Sequence, residues 1–170
     1  MARSVTGLEL EDFFDRFVRG TADLPLQGLL KAAGVILHLR PANDSKDTGG
    51  KPAKRGKSPP PWFGATLAAN GGASRFGVVH SGSPAERAGL APGDEAVALD
   101  GLRLTAENLD RRLRDHHAGE TVTMTVFRDH RLMRHRVTLG VPQDDTCYLA
   151  VDADADNDAC RERASWLASG

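Results

Sequence analysis

Side chains able to do chemistry are few and scattered in this chain of 170 residues. The histidines are His38, His80, His116, His117, His130 and His135. A helical zinc-peptidase site needs H-E-x-x-H, because two His four apart share one helix face and the Glu serves as base. No His here is followed by Glu. Adjacent residues on a helix point apart, so His116-His117 reads as a helix surface near a C-terminus, where positive charge is favoured. His130 and His135 flank a turn and read as surface residues. Ser81 and Ser83 stand beside His80 but do not make G-x-S-x-G. Asp152, Asp154 and Asp156 imitate the start of a calcium loop, yet position six is Asn157 rather than Gly and position twelve is Arg163 rather than Glu. Cys147 and Cys160 are too few for a disulfide scaffold and read as free thiols. The chain therefore offers no catalytic residue and no metal site.

Composition narrows the classes further. Hydrophobic residues make up 40% and aromatics 5%, enough for an aliphatic core. Net charge is −1, which argues against nucleic acid or an anionic membrane as partner. No apolar run approaches the ~18 residues of a membrane span, and the N-terminus shows no apolar signal segment. A soluble protein is expected, with cytoplasm and periplasm both open. The chain reads as a piece of a longer protein.

The elements that would position a site come in four blocks. Over 1–41, Leu10, Phe13, Phe14, Phe17 and Val18 form one helical apolar stripe. Asp23 is placed to cap a second short helix with Pro25 in its first turn, and Val35 to Leu39 reads as a strand. Residues 42–61 hold no large apolar side chain, five Lys/Arg and two Asp, so a flexible linker is expected. Residues 62–142 alternate short strands and short helices. Phe63 to Leu67, Phe76 to Val79, Glu95 to Leu99, Thr121 to Arg128 and Leu132 to Leu139 read as strands. Ser83 caps a helix with Pro84 at its first position. Asp100-Gly101 is a hairpin signal, and Thr105 is placed to cap a helix running from about 106 to 116. Residues 143–170 form a tail: a strand at 146–151, an acidic stretch and a last helix.

The landmarks W-F-G-A at 62–65, G-S-P-A-E-R-A-G-L at 82–90, P-G-D at 92–94, D-G-L at 100–102 and A-G-E-T-V at 118–122 stand in order. With them, residues 62–140 resemble a PDZ domain in the permuted bacterial arrangement. The run F-F-D-R-F-V-R-G-T-A-D-L-P-L at 13–26 resembles the stretch before the PDZ domain in the glycyl aminopeptidase family of zinc metallopeptidases. The fold this implies is α+β: a PDZ-like, partly closed antiparallel sheet with two helices, plus N-terminal helices and a C-terminal strand and helix.

The resemblance also implies a function. A PDZ domain adds a peptide's C-terminus as a strand to a sheet edge, with backbone N–H groups of a glycine-containing loop receiving the carboxylate. That loop would be Trp62, Phe63, Gly64 and Ala65. Thr66 and Leu67 would continue into the edge strand, with Phe63, Ala65 and Leu67 lining the terminal pocket. From the facing helix, Leu109 and Leu113 are assigned to the core, and Asn108, Arg111, Arg112 and Asp115 to the groove. An Arg112 in the groove would favour ligands with Asp or Glu near the end. Partners implied are a peptide or protein C-terminus, or the catalytic domain of the parent; binding in trans and bracing in cis both stay open. The chain itself is expected to be no enzyme and to carry no cofactor, zinc belonging to an upstream catalytic domain. The alternatives are a structural module that oligomerises through Phe13, Phe14 and Phe17, or part of an enzyme whose activity lies upstream.

Overall fold

The structure is a computed structural model that describes residues 10–53, 56, 58–70 and 72–168; expectations for residues 1–9, 54, 55, 57, 71, 169 and 170 lie outside it. The contacts divide the chain into two units, residues 1–38 with 149–170, and residues 39–148. This differs from the four consecutive blocks read from composition.

In the first unit, one α-helical turn, α1 (Glu11–Phe14), continues as a π-turn over Asp15–Arg19. The rings of Phe13 and Phe17 lie 5.2 Å apart, while Val18 is exposed. Helix α2 spans Leu26–Ala32. Its N-cap is Pro25 with no side-chain cap bond, so Asp23 does not take the capping role its spacing suggested. Gly34 then turns the chain at φ +63°, where a Cβ would overlap Ala155 and Arg163. Its carbonyl accepts hydrogen bonds from Asp152 N (2.9 Å) and Arg163 Nη1 (2.9 Å).

Strand β1 (Val35–Arg40) leads into the second unit. There follow β2 (Ala65–Asn70), β3 (Ala73–Val79), helix α3 (Pro84–Arg87), β4 (Glu95–Leu99), the two-residue β5 (Leu102–Arg103), helix α4 (Leu109–Leu113), β6 (Thr121–Arg128) and β7 (Arg131–Thr138). The sheet order is β2-β3-β4-β6-β7, antiparallel at every step, with β5 paired to β4. Asp100 and Gly101 both have positive φ, as the hairpin reading of Asp-Gly requires. Strand β8 (Thr146–Val151) pairs with β1, and α5 (Asn157–Ala168) ends the chain.

Period-two alternation drives the core of the second unit. Val122, Met124 and Val126 all point inward from β6 and are fully buried. They meet Phe76, Leu99 and Val137 from the sheet, Leu139 just after β7, and Leu109 and Leu113 from α4. Burial on this scale is worth about 25 cal/mol per Å² of apolar surface. One charged group enters this region. Asp94, 2% exposed, accepts from Arg128 Nε (2.6 Å) and Nη2 (2.7 Å) and from Ala91 N (2.9 Å). Burial alone would raise its carboxyl pKa, but these donors outweigh burial and hold it below the usual range.

The α4 region is shorter than its sequence pattern. The helix begins at Leu109, with Asn108 as N-cap. Asn108 Oδ1 accepts from Thr105 N (2.9 Å), folding the 105–108 segment into a turn before the helix starts. Thr105 therefore does not cap the helix. Ser83 does cap α3: its Oγ accepts from Glu86 N (3.1 Å), and Glu86 Oε2 accepts from Gly82 N (2.6 Å).

Most of residues 41–51 have defined partners, where composition predicts a solvated linker. Arg40 and Asp47, both nearly buried, form a two-pronged ion pair at 2.8 and 3.0 Å. Asp47 also accepts from the N–H groups of Asn43 (2.9 Å) and Gly49 (3.0 Å). The Arg40 guanidinium comes first among the causes that hold the Asp47 carboxyl far below the ordinary range, with the two N–H groups adding to it. Apolar burial is missing from this segment, and one carboxylate organises the backbone instead.

Candidate peptide groove

The site is built on β2. It is the first strand of the sheet order and among the described residues pairs only with β3, which leaves its other edge for a further strand. The chain enters β2 through Trp62, Phe63 and Gly64. Trp62 is fixed by reciprocal backbone bonds with Gly140 (2.9 and 2.8 Å). The Phe63 carbonyl accepts from Ala85 N (3.0 Å) and the Gly64 carbonyl from His80 N (2.9 Å). Among the described residues nothing accepts from the N–H of Phe63 or Gly64. Gly64 sits at φ +80°, and a Cβ there would overlap Ser83, the cap of α3. Only glycine lets the loop pass this close.

A pocket of about 150 Å³ opens at this loop. Its walls include Trp62, Phe63, Gly64, Ala65 and Thr66, all assigned to the site from sequence, and also His80. Phe63 is 3% exposed and its ring packs against Phe76 at 5.9 Å, so it serves the core as well as the pocket. Leu67 packs half-buried on the core and does not line the pocket.

The helix side differs from the expectation. None of Asn108, Arg111, Arg112 and Asp115 lines this pocket; Asp110 and Leu113 do. Asn108 is engaged in the turn before α4, donating to Arg103 O (3.2 Å) as well as accepting from Thr105. Arg111 and Asp115 are exposed. Arg112 is half-buried, and its Nε finds no hydrogen-bond partner among the described residues. Helix residues step by 100°, so Asp110 and Arg112 flank the buried stripe of Leu109 and Leu113 on opposite sides. The apolar spacing identified the stripe but could not say which flank meets the groove. The acidic preference expected from Arg112 loses its basis.

Two further segments close the pocket. Pro41, Ala42, Asp44 and Ser45 form one wall, and Pro142, Gln143 and Asp145 another. Ser45 donates from both N (3.0 Å) and Oγ (2.7 Å) to Asp110 Oδ2, Arg114 donates to the Asn43 carbonyl, and Ala42 N donates to Asp145 Oδ1 (3.2 Å). No apolar or charge pattern marks 41–45 as part of a site. The only hint is the run of turn-forming residues N-D-S-K-D-T-G-G at 43–50.

His135 and the acidic tail are not gathered into this site. His135 Nδ1 donates to Ala88 O (2.8 Å) and the ring is half-buried, so it is not the surface residue expected. Asp156 Oδ1 accepts from Ala159 N (2.8 Å) at the start of α5. Cys147 and Cys160 are free. Among the described residues no helix is long and apolar enough to cross a membrane.

The PDZ domain family matches residues 61–139, just under half of the chain. A crystal structure of an aminopeptidase N family protein from Idiomarina loihiensis is similar over 95% of this chain, at 28% identity and a TM-score of 0.79. The chain spans 26% of that protein's length. A serine endoprotease from Yersinia pestis matches over 51% of this chain and 30% of its own, at 17% identity and a TM-score of 0.44. An HtrA-type protease, AlgW, solved with a decapeptide, matches over 49% of this chain and 30% of its own, at 18% identity and a TM-score of 0.43. No curated protein sequence matches the chain. Residues 61–139 of this chain are a PDZ domain, flanked by segments similar to those of an aminopeptidase N family protein.

Proposed function

We propose that this chain is the non-catalytic peptide-binding or docking module of an aminopeptidase-like zinc metallopeptidase. The observation that carries the reading is the open edge of β2 following a loop whose Phe63 and Gly64 N–H groups have no acceptor among the described residues. A peptide terminus supplies both missing partners: a carboxylate for the loop and a strand for the edge. The similarity to the aminopeptidase N family protein supports a longer parent, because the chain spans only 26% of that relative.

Catalysis belongs outside this chain on the same reading. The sequence has no H-E-x-x-H. Among the described residues no group of three or more His, Cys, Asp or Glu is placed to hold a metal ion. On this reading the zinc that the family resemblance implies would be held by the parent's catalytic domain. The module's task is to hold a chain end or to brace that domain.

Titration of isotope-labelled chain with a C-terminal peptide and its amidated twin tests the groove. Chemical-shift changes are expected over residues 62–69 and 109–113. Amidation removes a charge-assisted bond to the loop and should weaken binding about tenfold. Equal binding of the two peptides, or shifts centred elsewhere, defeats the reading.

A further inference from the structure

The groove does not end where a free sheet edge and helix would leave it. Residues 41–47 lie along its carboxylate end as a strap. Their base is the near-buried Arg40–Asp47 pair, and their tip rests on α4 through Ser45 and Asp110. The strap brings Asp44 to the pocket; α4 brings Asp110, and the segment after β7 brings Asp145. Three carboxylates from three separate segments thus border one pocket. Among the described residues none that lines it is Lys or Arg, and His80 is the one basic side chain there. Arg114, one turn beyond Asp110, is taken up by the strap's Asn43 carbonyl.

Pro41, Trp62, Phe63, Leu113 and Pro142 supply the apolar part of the walls, with Ser45, Thr66 and Gln143 as uncharged polar neighbours. An apolar sleeve with carboxylates at its rim suits a long stem with a cationic head, which buries its methylenes and keeps its charge at the edge. It opposes an acidic side chain, whose charge would sit beside like charges in a partly desolvated space. The terminal carboxylate meets the same like charges, which the Phe63 and Gly64 N–H groups must offset in every peptide, so the difference between peptides falls on the side chain.

Resting on the peptide-groove reading above, we propose that the 41–47 strap is a specificity wall, and that with Asp110 and Asp145 it selects peptides whose last residue is Lys or Arg. The strap is thus part of the ligand site rather than a tether.

The test uses the full chain and three ten-residue peptides, identical except for a last residue of Lys, Val or Glu, each with a free carboxylate. Affinities read by fluorescence anisotropy at low salt should fall in that order, with Lys over Glu by about tenfold. Added salt should shrink the ratio. Asp44→Asn and Asp110→Asn should each move the Lys-to-Glu ratio several-fold toward one. Asp158→Asn, an equal charge change on α5, should leave it in place. Thermal melts establish that the variants fold. Asp44→Asn keeps the test valid if losing the Ser45 contact destabilises Asp110→Asn. Equal or tighter binding of the Glu peptide overturns the inference, as does a ratio unmoved in the Asp44→Asn, Asp110→Asn double variant. If none of the three peptides binds, the peptide-groove reading fails, and this inference with it.

Discussion

The sheet core and the strap hold their backbones by opposite means. In β6, Val122, Met124 and Val126 are fully buried and contribute through apolar contact. In the strap, residues 41–47 contain no large apolar side chain. The organiser there is Asp47, which gathers the Arg40 guanidinium and the N–H groups of Asn43 and Gly49. The core is non-directional and tolerates rearrangement at an energetic cost. The strap is directional and depends on one carboxylate being charged and in place. A segment without apolar side chains is therefore not automatically a free linker; it needs one buried charge with enough donors.

The largest effect should come from the core. Met124→Ala removes a fully buried side chain and should lower unfolding stability by about 2–5 kcal/mol, measured by denaturant melts. A loss under about 1 kcal/mol would mean that the core repacks freely and the contrast is weaker than described. Asp94→Ala tests whether a charged organiser can matter as much inside the core region. It strips Arg128 of its fork and Ala91 N of its acceptor, and should cost about 2–3 kcal/mol. Arg128 is one-third exposed and can rehydrate, which keeps the figure below that of a fully buried pair.

Asp47→Asn should act locally. Amide exchange at Asn43 and Gly49 should speed up about tenfold or more, while exchange in β6 stays slow. Equal acceleration in both places would show that strap and core open as one. The smallest effect is the pH response of the strap. The Asp47 carboxyl is held far below its ordinary value, so its stabilising contribution is full above about pH 4 and fades only as pH falls through the lower folded value. Strap amide protection should thus persist from neutral pH down to about pH 4. Loss of protection near pH 6 would assign the strap to another titrating group.

Much of the sheet was legible because its signals are local. Glu95 to Leu99 and Thr121 to Arg128 form strands over the residues their alternation marks. Asp100-Gly101 takes the positive φ its side chains permit, and Ser83 caps the helix opened by Pro84. The glycine turn at Gly64 was legible from W-F-G-A. What misled lay where two local solutions compete. Thr105 was placed to cap α4, but Asn108 Oδ1 accepts from Thr105 N, closing a turn over 105–108 so that the helix starts only at Leu109. Asp23 lost its cap because the helix begins after Pro25.

The sequence by itself determined the PDZ fold of residues 61–139, the glycine loop and the absence of an H-E-x-x-H motif. These follow from periodicity, turn chemistry and residue identity, all readable within a few positions. Tertiary structure alone decided the charge of the groove. Leu109 and Leu113 fix which side of α4 is buried, but the flank that faces β2 depends on how the helix lies across the sheet. That arrangement places Asp110 at the pocket and leaves Arg112 away from it. It also lays Asp44 and Asp145, 66 and 35 residues away from Asp110 in sequence, against the same opening. No pattern along the chain encodes a meeting of three distant carboxylates; it exists only once the strap, the helix and the tail are packed.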